Sequence, residues 1–488
     1  MPDILRWYAD KKDCSGDFLI YNINMTLNYE TYLSPYTWRY GSQAMRAIWS
    51  EVHKRKLWRK LWLTLAEVQA EFDLVSADQL ADLRDHMNSV DMQRALEIEA
   101  EIHHDLMAEL KVYAGQCPVG GGILHLGATS TDIEDNADVL RQRESLALLI
   151  AELKEVLLLM VEAVDAWADL PIIAFTHLQP AEPSTLGYRL SVYAQDLLSD
   201  WQSLRAMRGA LHGKGFKGAV GTGAAYAELV GADNLNDFEK HLSKRLDLPF
   251  FPVATQVYPR KQDYALLSRL AGLGASLHKF AFDLRLLQAA PVGELGEPFG
   301  KAQVGSSAMP FKRNPIHAEK IDSLARLLAG MPRIAWDNAA NSLLERSLDD
   351  SANRRTLLPE AFLICDELLL TTKQIISGLQ VNHEAIKHNL EAYAPFAGVE
   401  RVLMALVKAG ADRQVMHEYL RQHSLTAWAE VQAGRNNLLS ELISHDPEIT
   451  QYLPAEELCR LMDISHYLGN APQRARQVAE AVHENLID

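Results

Sequence analysis

"RQRESLALLIAELKEVLLLMVEAVDAWADL", residues Arg141 to Leu170, sets Leu146, Leu149, Ile150, Leu153 and Leu157 at i, i+3, i+4, i+7 and i+11. That is the spacing of one face of an α-helix, and the run is long for a globular protein. The same character returns in "GYRLSVYAQDLLSDWQSLRAMRGAL", "YALLSRLAGLGASLHKFAFDLRLLQAA", "HAEKIDSLARLLAGMPRIAWDNAANSLLE" and "LLPEAFLICDELLLTTKQIISGLQ". Five long amphipathic segments between about Thr131 and Leu379 predict an all-α protein organised around a helical bundle.

Between these segments lie polar or Gly/Pro-rich connections: "LPIIAFTHLQPAEPSTLG", "HGKGFKGAVGTGAAY", "LPFFPVATQVYPRKQD" and "VGSSAMPFKRNP". Loops carried on a rigid helical frame are where chemistry is usually placed. Upstream, the glycine cluster "CPVGGGILHLGATS" reads as a boundary. Downstream of about Val381 the helices are expected to shorten. The expected domains are 1–129, a helical N-terminal domain, 130–381, the long-helix bundle, and 382–488, a helical C-terminal domain.

The chain has 488 residues, 48% of them hydrophobic, which suffices for a packed interior. A formal net charge of −16 argues against a nucleic-acid binder, because phosphate backbones are held by clustered Lys and Arg. An anionic ligand therefore needs a local basic pocket. The four cysteines, Cys14, Cys117, Cys365 and Cys459, are far apart and show neither a disulfide framework nor a zinc spacing. No metal is expected. The start "MPDILRWYADKKDC" lacks a signal-peptide pattern and no run approaches a membrane span, so the expectation is a soluble cytoplasmic protein with no membrane contact.

Several short stretches could carry chemistry. His177 in "FTHLQPAEPSTLG" sits between an apolar run and two prolines, on a turn. His103, His104 and Asp105 are consecutive, which does not make a HExxH metal site, and a helix start with exposed imidazoles explains them as well. In "GILHLGATSTDIEDNADVL", His125 precedes Thr129, Ser130, Thr131 and Asp132 at the onset of helical periodicity; Ser130 and Glu134 are near a capping spacing. Such a terminus also offers backbone N–H groups to a carboxylate or phosphate. "LLERSLDDSANRR" clusters Arg346, Ser351, Arg354 and Arg355, either an anion fork or a charged helix-to-helix loop. GxxxxGK(S/T), GxGxxG and GxSxG arrangements are absent, against nucleotide hydrolases, dehydrogenases and esterases.

Three of these loops together, "GATSTDIEDNADVL", "FTHLQPAEPSTLGYR" and "GSSAMPFKRNP", resemble in order and spacing the signature regions of the fumarase/aspartase superfamily. Within it, "YLSPYTWRYGS", "ATQVYPRKQD" and "LERSLDDSANRR" are similar to the adenylosuccinate lyase family, over nearly the whole chain. The resemblance implies a three-domain all-α fold whose bundles join in a homotetramer with a twenty-helix core, and active sites built from three subunits. It also implies β-elimination of fumarate from adenylosuccinate, giving AMP, and from the succinylated aminoimidazole carboxamide ribotide (SAICAR), giving AICAR, with no cofactor.

By the same resemblance Ser306 is the general base, with Lys312 and Asn314 stabilising charge on the substrate carboxylate. His177 is the general acid, Glu319 orients it, and His104 is a second histidine contacting substrate, followed by Asp105. Thr129, Ser130, Thr176 and Gln256 match groups around the succinyl part, and Arg39, Tyr40, Arg346, Ser351 and Arg355 those around phosphate and ribose. A serine hydroxyl is a weak base, so nearby cations and backbone N–H dipoles must activate it. The glycines of "GELGEP", Gly293 to Pro298, are expected to hinge a lid carrying Ser306 and Lys312. One departure is His103, where the resemblance leads one to expect Arg before the His-Asp pair; phosphate affinity would then depend on pH.

Rival readings keep the signature loop and change the substrate, as in argininosuccinate lyase, aspartase, fumarase or a carboxymuconate cycloisomerase. A non-catalytic protein retaining the scaffold is a further rival, marked by loss of the base or acid; Ser306, His177 and Lys312 are all present.

Overall fold

A computed structural model describes residues 30–464 and 467–486. The opening "MPDILRWYADKKDC", with Cys14, lies outside the described residues. In chain order the principal helices are α1 (Glu51–Ala70), α2 (Met92–Ile102), α3 (Asp105–Gln116), α4 (Ser130–Ala166), α5 (Leu186–Ala210), α6 (Leu235–Leu246), α7 (Lys261–Gln288), α8 (Ile316–Ala340), α9 (Ser351–Ser377), α10 (His383–Lys408) and α11 (Arg413–Gln432). Two short antiparallel pairs accompany them: β1 (Pro171–Thr176) with β2 (Gln179–Thr185), and β3 (Leu295–Gly296) with β4 (Gln380–Val381).

The five segments with helical period are the five long helices α4, α5, α7, α8 and α9. α4, at 37 residues, spans about 55 Å at 1.5 Å per residue. Its predicted face is buried: Leu146, Leu149, Leu153 and Leu157 are fully covered. It ends at Ala166 rather than Leu170, because Pro171 cannot continue a helix and opens β1 instead. Gly187 is required at the start of α5, since a Cβ there would lie 2.5 Å from the Val164 carbonyl. Beyond β4 the expected shortening begins late. α10 and α11 still run 26 and 20 residues, and the helices described after Gln432 run 6, 4, 8 and 16 residues.

The chain divides into two compact units. The first holds residues up to Glu144 with Leu211–Gln262 and Asn338–Ala352; the second holds Ser145–Ala210, Asp263–Asp337 and Asn353 onward. In the first, α1 supplies a core of Leu57, Trp58, Leu61, Trp62 and Val68, and Phe238 of α6 meets Phe72 edge to face. Beneath that core Arg55 and Arg59 share the fully buried carboxylate of Glu109. In the second unit, the long helices pack on leucine faces and α10 packs against the β1–β2 hairpin, with Phe175 and Tyr393 edge to face at 6.5 Å. Among the described residues no helix is long and apolar enough to cross a membrane.

Candidate active site

Ser306, Lys312 and Asn314 share one tight loop of the second unit. The Asn314 side-chain amide donates to the Gly305 carbonyl at 2.9 Å, closing the loop at its base. Gly305 is needed there, because a Cβ would fall 2.1 Å from the Lys312 carbonyl oxygen. At the loop's tip the Ser306 hydroxyl oxygen accepts N–H groups from Met309 at 3.1 Å and Ala308 at 3.4 Å. Two donors aimed at one oxygen favour its charged form, the kind of activation a serine base requires. The Lys312 side chain is exposed.

The Gly293–Pro298 stretch is an anchor rather than the expected hinge. Leu295 and Gly296 pair with Val381 and Gln380. The buried Glu294 carboxylate accepts from Arg189 at 2.8 Å and Asn389 at 3.1 Å, and buried Glu297 caps α8 by accepting the His317 and Ala318 N–H groups. Both carboxylates are thus engaged by groups outside the segment, and Gly296 faces open enough space to tolerate a Cβ.

His177 stands at the tip of the β1–β2 hairpin, between Thr176 and its cross-strand neighbour Gln179. His177 and Leu178 both adopt left-handed backbone, φ 53° and 59°. A two-residue hairpin turn of this kind normally takes Asn and Gly, so His-Leu stores strain, and strain of this sort collects at functional positions. Thr176 and His177 are exposed, and His177 lines a cavity of about 520 Å³ with Phe175, Tyr188, Arg189, Lys279 and Asp283. Glu319, at the start of α8, is half exposed, and its ion-pair partner in the chain is Arg285 at 4.0 Å. No hydrogen bond joins Glu319 to His177 within one chain among the described residues. Arg355 is exposed on α9, whereas its neighbour Arg354 is buried and paired with Asp263 at 2.9 Å.

The first unit holds the other candidates. His103 is the left-handed residue (φ 54°) that ends α2, and His104 is the N-cap of α3, so the pair forms the corner of a helical hairpin. The His104 Nδ1 lies 3.5 Å from the Met107 N–H as the cap of α3, and its Nε2 lies 3.4 Å from the Ser130 hydroxyl. His104 and Ser130 are thus brought together. Asp105 is buried, with Oδ1 taking the Leu106 N–H. The capping partner at the α4 start is Asp132, which accepts the Thr129 N–H at 3.1 Å, not the expected Ser130–Glu134 pair, because the cap spacing is three residues. His125 is spent structurally: its Nδ1 accepts from Trp62, and burial holds its pKa below the usual histidine range.

Gln256 and Arg346 are tied into the same region. The Gln256 N–H donates to the Glu345 carbonyl at 3.2 Å. Arg346 donates to Asp350 at 2.7 Å; Asp350 also takes Arg260 at 2.6 Å, and Arg260 forks onto Asp135 at 3.0 and 3.1 Å. This row of ion pairs, buried except at Arg346, ties the Arg-rich loop down, and Ser351 follows it at the start of α9. Arg39 lies over the rings of Trp38 and Tyr40, at 5.6 and 6.0 Å.

Sequence reading missed Asp135, Arg260, Asp350 and Lys214, since pairs up to 125 residues apart leave no local pattern; the Lys between two glycines in "HGKGFKG" was the one available sign. It also missed a group of possible metal ligands: Asp82, His86 and Cys117 have ligand atoms within 4.8 Å of one another. Asp82 already takes the Val119 and Gly120 N–H groups, and burial pushes the Cys117 thiol up to about 11, so the trio serves as a turn clamp.

Comparison with known proteins extends these observations. The profile of the family described as "Lyase" matches residues 30–330, and that described as "Adenylosuccinate lyase C-terminus" matches residues 395–478. The adenylosuccinate lyase of Saccharomyces cerevisiae is 36% identical over 469 residues, covering 94% of this chain and 96% of that protein. That of Schistosoma mansoni is 37% identical over 471 residues, 93% of this chain and 96% of the other. Among solved structures, the 3-carboxy-cis,cis-muconate lactonizing enzyme of Pseudomonas putida superposes with a TM-score of 0.81 at 26% identity, covering 92% of this chain and 98% of that one.

Proposed function

The chain belongs to the adenylosuccinate lyase family, and on that premise we propose the elimination of fumarate from adenylosuccinate, with Ser306 as base and His177 as acid. The observation that carries the role of Ser306 is its hydroxyl oxygen accepting two backbone N–H groups at the tip of its loop. As an alkoxide, Ser306 takes a proton from the succinyl carbon next to a carboxylate. The electron pair moves onto that carboxylate, where the Lys312 ammonium and the Asn314 amide balance the developing charge. It then returns to form the fumarate double bond as the C–N bond breaks, and His177 gives its proton to the departing nitrogen of AMP. The same elimination from SAICAR requires no further group.

In this reading His104, Ser130, Thr129, Thr176 and Gln256 hold the succinyl end. Arg39, Tyr40, Asp105, Arg346, Ser351 and Arg355 surround the nucleotide, and Glu319 of another subunit orients His177. A homotetramer supplies that subunit. Its support is the set of exposed apolar side chains on the long helices, Val192, Phe282, Leu286, Leu327, Ile334 and Trp336, each more than 40% uncovered in the single chain. Cytoplasmic location is part of the same proposal and rests on the acidic, cysteine-poor composition.

Incubating the purified protein with adenylosuccinate, SAICAR and argininosuccinate in turn, and following fumarate release, tests the reading. Turnover of argininosuccinate without adenylosuccinate overturns it.

A further inference from the structure

A buried lysine of the first unit is linked, through Asp132 and Thr131, to three of the residues assigned to the succinyl end, Thr129, Ser130 and Gln256. Lys214 is fully buried and places all three of its ammonium protons: on Asp132 Oδ1 at 2.5 Å, on the Gly218 carbonyl at 2.9 Å and on the Thr131 hydroxyl at 3.3 Å. The Thr131 hydroxyl, with a lone pair taken by Lys214, donates its own proton to the Gln256 carbonyl. Gln256 is held from its other side by the Glu345 carbonyl. The second ammonium partner, Asp132, is equally engaged. Besides Lys214 it accepts N–H groups from Thr129 at 3.1 Å, Lys217 at 3.2 Å and Gly218 at 3.1 Å, and the Tyr226 hydroxyl at 3.2 Å.

One cation thereby reaches both sides of the same subsite: Thr129–Ser130 through Asp132, and Gln256 through Thr131. We propose that Lys214 and Thr131 are positioning residues for the succinyl carboxylates, setting the separation between the Thr129–Ser130 turn and the Gln256 backbone. The direction of the chain, Lys214 to Thr131 to Gln256, is determined because an ammonium has protons only to give and a carbonyl only lone pairs. Each bond polarises the next, so the hydroxyl of Thr131 is not interchangeable with a methyl of the same shape. This inference rests on the assignment of Thr129, Ser130 and Gln256 to the succinyl end.

The test uses full-length Thr131→Val, Thr131→Ser, Ser130→Ala and Gln256→Ala proteins, with fumarate and AMP as separate inhibitors reporting the two ends of the site. Thr131→Val leaves Lys214 two of its three partners and is expected to fold. It should raise KM for adenylosuccinate and Ki for fumarate about fivefold, the worth of one hydrogen bond, with Ki for AMP and kcat little changed. Thr131→Ser keeps the hydroxyl and should restore both constants. Equal rises in the fumarate and AMP constants, a lowered Tm with unchanged Ki, or a Thr131→Ser protein as impaired as Thr131→Val would each overturn the proposal. If Ser130→Ala and Gln256→Ala leave the fumarate constant untouched, the site assignment itself is wrong and this inference goes with it. Thr131→Ala removes the hydroxyl without adding bulk, and is read in the same way should the valine protein not fold.

Discussion

Asn314 and Gly305, nine residues apart, are joined by a 2.9 Å hydrogen bond that turns the intervening segment into a closed loop. That bond sets where the Ser306 hydroxyl and the Lys312 backbone stand relative to each other. Asn314→Ala should open the loop and lower kcat about tenfold or more through lost orientation, at nearly unchanged Tm. Steady-state kinetics beside limited proteolysis of the 299–314 segment checks it; unchanged kcat with a newly cleavable loop would separate closure from catalysis.

Ser306→Ala removes the base, and with it the acceptor of the Ala308 and Met309 N–H groups, while leaving the Asn314–Gly305 closure of the loop in place. Turnover of adenylosuccinate should fall at least about a thousandfold with substrate binding retained, as measured by calorimetry. Near-normal activity removes Ser306 from its role. Mixing Ser306→Ala and His177→Ala proteins should restore part of the activity if the two groups act from different subunits; no recovery after demonstrated subunit exchange counts against shared sites.

Leu178 holds a left-handed backbone at the hairpin tip and is about two-thirds exposed, so it spends conformational energy for little burial. Leu178→Gly should stabilise the folded protein by about 1 kcal/mol, the cost of left-handed backbone for a residue with a Cβ. Denaturant titration measures it. A loss of stability would mean the leucine packing outweighs the strain.

Asp135, Arg260 and Asp350 are buried at the head of the row that ends on partly exposed Arg346, so deleting one of them strands its neighbours. Asp135→Ala should cost about 3 kcal/mol, as a broken buried ion pair does. A shift of the denaturation midpoint under half that size would show that Asp350 alone suffices for Arg260.

Glu152 on α4 gives a pH dependence. Burial, and then the neighbouring Asp366 carboxylate, push its carboxyl up to about 8, with Glu155 acting in the same direction and Lys373 opposing. The folded state therefore keeps this proton through a range in which the unfolded chain releases it. Its contribution is full below the ordinary glutamate range and is lost as pH rises toward 8. Glu152→Gln should flatten the fall of Tm between about pH 5 and pH 8 and raise Tm at the upper end. Melting curves across that window decide it, and an unchanged slope overturns the assignment.

Much of the architecture was legible in the chain. The 3.6-residue period of Leu146 to Leu157 marked α4 because a helix repeats its buried face locally, and the composition of "GSSAMPFKRNP" marked a loop because Gly, Pro and paired cations do not fit a packed helix. Other features were decided only in three dimensions. The β1–β2 hairpin was hidden because His177 and Leu178 are not turn formers; its support is the packing of the strands against α10, with Phe175 on Tyr393, rather than local preference at the turn. The glycines of "GELGEP" suggested a hinge, but Glu294 and Glu297 find buried partners remote in sequence and pin the segment. Lys214 and Asp132, 82 residues apart, form the most enclosed ion pair near the candidate site. Local sequence can specify a helix or a loop because those depend on neighbours along the chain. Which buried charges meet depends on how the helices pack, and only the tertiary structure decides that.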